Sequence, residues 1–98
     1  MNLRPSAVLH QNRETIRSVA LKHNTLNPRV FGSALRGEDE ASSDLDLLVE
    51  PMPGTTLFDL GAIQIELEEA LGIAVDVLTP GDLPEKFRDQ VLREAMPV

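Results

Sequence analysis

Gly32-Ser33-Ala34-Leu35-Arg36-Gly37, followed after five residues by Ser43-Asp44-Leu45-Asp46-Leu47-Leu48-Val49, is the stretch that decides how this chain folds. From Ser42 to Glu50 the run is mostly apolar, with Asp44 and Asp46 at alternate positions, which is the pattern of a strand. Successive strand side chains point to opposite faces, so Asp44 and Asp46 project the same way and two carboxylates come close together. Upstream, Arg29-Val30-Phe31 is a short β-prone run stopped by Gly32, a brief strand entering a loop.

Working outward, Leu9, Ile16, Val19 and Ala20 recur at helical spacing and predict one helix from Pro5 or Ser6 to about His23, broken by Asn24, Asn27 and Pro28. Beyond the acidic strand, Pro51, Pro53 and Gly54 form a turn, and Thr55 or Thr56 caps a helix carrying Leu57, Leu60, Ile63, Leu67 and Leu71, closed by Gly72. Ile73 to Thr79 reads as a third strand interrupted by one charge, Asp76, and ended by Pro80-Gly81. A last helix runs from Pro84 to near Ala95 through Phe87, Val91 and Leu92, with Pro97 preventing its continuation. The expected architecture is α/β (α+β): a small mixed sheet of at least three strands covered by three major helices. No internal repeat or low-complexity linker interrupts it, and residues 1–98 are expected to form a single domain.

Composition narrows the function. Sixteen acids against nine bases give a net charge of -7, which opposes attraction to a polyanionic backbone, so direct nucleic-acid binding is not expected. Only three aromatic residues are present, all Phe, too few for a base-stacking surface like that of single-strand binders. Divalent cations can still bridge an acidic protein to a nucleoside triphosphate. With no cysteine, neither disulfides nor thiolate metal sites are available. No apolar stretch suits a signal peptide or a membrane span, and a cytoplasmic location is the expectation.

The motif G-S-x-x-R-G…S-D-x-D-L-x-V resembles the DNA polymerase beta-like nucleotidyltransferase superfamily, specifically its minimal branch, often encoded as the antitoxin beside a HEPN-domain toxin. Phe31, Asp76 and the closing Val91-Leu92-Arg93-Glu94-Ala95 also resemble that branch, so the likeness covers essentially the whole chain. A chance match of Gly32, Ser33, Arg36, Gly37, Ser43, Asp44 and Asp46 at one start has a frequency on the order of 10⁻⁸ to 10⁻⁹, so coincidence is a poor explanation. Leu35 departs from the small residue common at that position, which touches loop packing and not the phosphate or metal groups.

The residue types suit that chemistry. Gly32 lets backbone amides approach a phosphate closely, the Ser33 hydroxyl can bond a phosphate oxygen, and a following helical turn would add aligned donors. Hard cations such as Mg²⁺ take oxygen ligands, and two ions a few Å apart can activate the attacking oxygen and stabilise the departing pyrophosphate. Asp44, Asp46 and Asp76 are the expected metal ligands, and Asp76 could instead take the acceptor's proton. Arg36 offers a forked cation to phosphate or to a neighbouring carboxylate. Ser43 counts with Gly32, Ser33 and Arg36 among the nucleotide-binding candidates, although a role in shaping the connection, shared with Gly37, suits it better.

Each feature also has a plainer reading. An isolated Asp-x-Asp is ordinarily a solvated strand edge, and Gly-Ser alone is a turn signal; their conjunction shifts the balance. His10 and His23 lack companion ligands and are expected on the surface or at a cap. Glu66, Glu68 and Glu69 read as the wet face of a helix, and Glu38, Asp39 and Glu40 as a solvated loop. The resemblance implies transfer of AMP from ATP, with Mg²⁺, to a hydroxyl, specifically a tyrosine of a cognate HEPN ribonuclease toxin in a hetero-oligomer. Two alternatives stay open: neutralisation of a toxin by docking alone, and nucleotidyl transfer to a small molecule.

Overall fold

The computed structural model describes residues 3–98. The first apolar periodicity forms two helices instead of one: α1 (Pro5–Gln11) and α2 (Arg13–Lys22), broken at Asn12, whose backbone leaves the helical region (φ -132, ψ 27). The Asn12 side chain donates to the Val8 carbonyl at 2.8 Å, so the amide satisfies a carbonyl left at the end of the first helix. The expected inward residues hold: Leu9, Ile16, Val19 and Ala20 are all buried.

β1 (Thr25–Phe31) is longer than Arg29-Val30-Phe31, because it runs through Asn27 and Pro28 as an irregularity in the pairing with the next strand. Asn27 takes a left-handed backbone (φ 50) there, which Asn tolerates better than most residues. After α3 (Ser33–Arg36) comes β2 (Leu45–Pro51), which starts one residue beyond Asp44 and not at Ser42. α4 (Leu57–Leu71) is capped by Thr56, whose N–H donates to Asp59 Oδ2 at 2.9 Å, and is closed by Gly72 in the left-handed region (φ 71). β3 (Val75–Leu78), a 3₁₀ turn (Pro80–Asp82), α5 (Glu85–Glu94) and β4 (Met96–Pro97) complete the chain.

The sheet has the order β3-β2-β1-β4. β1 runs antiparallel to both β2 and β4, while β2 and β3, joined through α4, are parallel, so the sheet is mixed as expected, with a fourth strand that the sequence did not suggest. Pro97 fits β4 because that strand is an edge. Alternation divides the sheet into two faces. Val30, Leu45, Leu47 and Val75 join Ile16 and Val19 of α2 and Ile63 and Leu67 of α4 in one buried cluster. Burying each such side chain contributes about 1.5–3 kcal/mol. The opposite face carries Arg29, Phe31, Asp46, Leu48, Asp76 and Leu78, and there the 3₁₀ turn packs on β2.

Several charged residues sit differently from their expected places. Asp39, expected in a solvated loop, is buried: Ser6 donates from its N–H (2.8 Å) and its hydroxyl (3.1 Å), and Arg4 Nη2 from 2.9 Å. Burial alone would raise this carboxyl, but the hydrogen bonds from Ser6 and the Arg4 charge outweigh it and hold it below the usual carboxylate range. Glu68 is not simply part of a wet face, since its Oε2 accepts the Val75 N–H at 3.0 Å. Glu66 receives Lys22 at 2.8 Å and His23 at 2.6 Å, tying α2 to α4. Leu57, read as part of the apolar stripe of α4, is 82% exposed, as is its neighbour Phe58 at 89%. Among the described residues, no helix is long and apolar enough to cross a membrane.

Candidate active site

Three strands meet in one row on the open face. Phe31 of β1 is the cross-strand partner of Asp46, and Asp46 is in turn the partner of Asp76 on the parallel β3. Residues in register on neighbouring strands share a face, so the pairing brings the two carboxylates side by side. Asp44, exposed and just outside the ladder, leads into β2, where the next residue's N–H donates to the Ala74 carbonyl at 2.9 Å.

Gly32 closes this row from the β1 side. Its backbone is left-handed (φ 74, ψ -150), and a β-carbon placed on it would stand 2.3 Å from Asp46 Oδ2. The backbone angle favours glycine, and any larger residue would also have to displace the Asp46 carboxylate. The sequence suggested that Gly32 makes room for a phosphate; the structure shows that it first makes room for the Asp46 carboxylate. Behind Gly32, Ser33 opens the single turn of α3, with the Arg36 N–H returning to the Gly32 carbonyl at 3.2 Å. The Ser33 carbonyl accepts the Glu38 N–H at 3.0 Å, and Gly37 ends the turn in the left-handed region. The loop is thus fixed from both ends before any ligand arrives.

Arg36 is exposed and donates through Nε to Glu38 Oε2 at 3.1 Å. Ser43 lies in the turn leading to Asp44: its Oγ accepts the Glu40 N–H at 2.9 Å, and its own N–H donates to the Glu40 carbonyl at 2.9 Å. The structure therefore brings Gly32, Asp46 and Asp76 into contact range, with Asp44 and Arg36 near enough to act on Asp46 by charge. Ser43 it places in the supporting turn.

The electrostatics follow from this crowding. Partial burial pushes the Asp46 carboxyl up; the Asp76 and Asp44 charges push it further, a hydrogen bond with Asp76 adds to this, and Arg36 only partly offsets them, leaving it at about 6. Among the described residues, no three His, Cys, Asp or Glu side chains form a ready-made metal cage. The donor set still fits a hard dication: it is all oxygen, and the mutual repulsion recorded in Asp46 is what a bound positive charge relieves. Phe31, noted in the sequence only as a strand residue and for its family likeness, joins the row, because its place beside Asp46 depends on strand register.

A mixed four-stranded sheet backed by helices, with a glycine-serine turn against paired aspartates, defines a nucleotidyltransferase fold. The chain belongs to the polymerase beta nucleotidyltransferase family, whose profile matches residues 14–98. A solved structure described as a minimal nucleotidyltransferase superposes with a TM-score of 0.84, 42% identity and 95% coverage of both chains. The chain is 39% identical over 90 residues to a protein of Methanocaldococcus jannaschii that carries the name of a protein adenylyltransferase, covering 92% of this chain and 97% of that one. It is 36% identical over 67 residues, 68% of each chain, to the protein adenylyltransferase MntA of Thermococcus cleftensis. A toxin-antitoxin crystal structure with AMP-PNP shares the fold at a TM-score of 0.74 and 19% identity, covering 88% of this chain and 71% of that chain.

Proposed function

We propose that this chain transfers AMP from ATP to a hydroxyl on a partner protein, and that the acceptor is a tyrosine of a cognate HEPN ribonuclease toxin, which the transfer silences. The observation that carries the reading is the Asp46–Asp76 pair on adjacent parallel strands, with the Asp46 carboxylate seated on Gly32. Relatives bearing the name of protein adenylyltransferases support a protein acceptor, and a fold neighbour solved as a toxin-antitoxin complex supports the class of partner.

In this reading Gly32 and Ser33 hold the triphosphate, while Asp44, Asp46 and Asp76 would hold Mg²⁺, one or two ions. Bound there, the cation supplies charge neutralisation and lowers the cost of forming the attacking alkoxide or phenoxide. The acceptor oxygen bonds to the α-phosphorus as the bond from that phosphorus to the bridging oxygen breaks, so pyrophosphate leaves and AMP stays on the acceptor. Asp76 takes the acceptor's proton or orients it. Arg36, held by Glu38, lends positive charge at the phosphate end. Positioning and charge compensation carry the catalysis, with no covalent enzyme intermediate.

The test is co-incubation with α-labelled ATP, Mg²⁺ and the protein encoded in the adjacent reading frame, followed by intact-mass measurement of that partner. A mass increase of one AMP, absent with Asp44→Asn/Asp46→Asn, is expected. If the double variant still silences the partner as well as wild type does, docking alone accounts for the activity.

A further inference from the structure

The row of carboxylates continues into an open cleft of about 400 Å³ between the sheet face and α5. Phe31 and Leu78 contribute from the sheet, Phe87 from α5, and Arg36, Gln90 and Glu94 add polar groups. Phe31 pairs across β1 and β2 with Asp46, and Leu78 lies two residues beyond Asp76 on the same face, so cleft and carboxylates form one surface. Two of the chain's three aromatic side chains border it, and Phe87 is 50% exposed. An apolar, aromatic-edged cleft next to a phosphate-binding turn suits a flat heterocycle attached to that phosphate.

We propose that this cleft receives the purine base of the nucleotide, with Phe31 and Phe87 as its aromatic contacts and Gln90 with Glu94 reading the base edge; the proposal rests on the nucleotidyl-transfer reading above. Gln90 Nε2 donates to Glu94 Oε1 at 3.2 Å. That bond leaves the Gln90 carbonyl and the second Glu94 oxygen as acceptors. The exocyclic amine of adenine offers two N–H donors, one for each of these acceptors, whereas the carbonyl of hypoxanthine matches neither and finds only the second Gln90 N–H. The protein acceptor has another route, because β3, which carries Asp76, is an open edge of the sheet.

Titration calorimetry of the full chain with ATP, ITP and inorganic tripolyphosphate, each with Mg²⁺, tests the assignment. Phe87→Ala is expected to weaken ATP roughly tenfold, the scale of one lost base-aromatic contact, and to leave tripolyphosphate unchanged. Wild type is expected to favour ATP over ITP, and Glu94→Ala to narrow that preference. Unchanged ATP affinity in Phe87→Ala overturns the proposal, as does equal weakening of ATP and tripolyphosphate, which would make the cleft a mere support for the phosphate turn. Loss of AMP transfer with ATP binding intact also overturns it, since the occupant would then be the acceptor side chain. Asp46→Asn reports on the underlying reading separately: Mg²⁺-dependent tripolyphosphate binding that survives it contradicts the metal site, whatever Phe87 does.

Discussion

Replacing Asp46 with Asn is expected to make the ligand-free protein more stable while removing its activity. The wild-type carboxyl is raised from 3.8 to about 6 by burial and by the charges of Asp76 and Asp44. A displacement of that size is worth at most about 3 kcal/mol, since each tenfold change in proton affinity is ~1.4 kcal/mol. Asp46 is only partly buried, so solvent screening reduces the figure to about 1–2 kcal/mol. Because the folded state holds the proton more tightly than the unfolded state, the penalty is absent below about pH 4, grows between about pH 4 and 6, and is complete above that. Asn is nearly isosteric and removes the charge, so its advantage follows the same curve. Urea unfolding of both proteins across this range reads it directly, and near neutral pH the variant's Tm should rise by about 4–8 °C for each kcal/mol. Saturating Mg²⁺ and an ATP analogue should reverse the order, because ligand binding stabilises only the protein that binds it. A variant no more stable than wild type at pH 8, or an advantage that persists undiminished at pH 4, refutes the reasoning.

Other substitutions probe the frame. Gly32→Ala places a methyl where Asp46 Oδ2 already lies, at a left-handed φ; a loss of about 1–3 kcal/mol in chemical unfolding and AMP transfer reduced at least about 100-fold are expected. Asp39→Ala strands the Ser6 N–H and takes the carboxylate from Arg4, which keeps its bonds to the Gly37 and Asp39 carbonyls, and should cost about 1–3 kcal/mol above pH 5, a deficit that shrinks as acid titrates the wild-type carboxylate. Phe58→Ser, at an 89% exposed position, should shift unfolding by no more than about 0.5 kcal/mol.

The parts of the fold that sequence reveals are those fixed by local chemistry. The strand around Asp46, the periodicity of Ile63 and Leu67, and the Thr56 and Gly72 boundaries all act within a few residues and stand in the structure, although the strand begins only after Asp44. The break at Asn12 is not legible because its neighbours suit a helix; in the structure the short helix before it is tied through Arg4 and Ser6 to Asp39, more than thirty residues away. Asp39 itself sits between two other acids, Glu38 and Glu40, and nothing in a run of charges tells which one turns inward. β4 exists because Met96 and Pro97 meet Val30 and Arg29 across the sheet, a long-range pairing with a two-residue signal. The same holds at the site. Three aspartates could be named from spacing and family likeness, whereas the Asp46–Asp76 register, the seat on Gly32 and the neighbouring Phe31 depend on which strands lie side by side.

The most direct test is a crystal structure grown with a non-hydrolysable ATP analogue and Mn²⁺ in place of Mg²⁺, with the metal located by its anomalous scattering. An anomalous peak bridging the Asp44 and Asp46 carboxylates to the triphosphate, with Asp76 turned toward the α-phosphorus, is the expected result. A nucleotide bound elsewhere, or a triphosphate at the Gly32 turn with no metal between it and the aspartates, would contradict it.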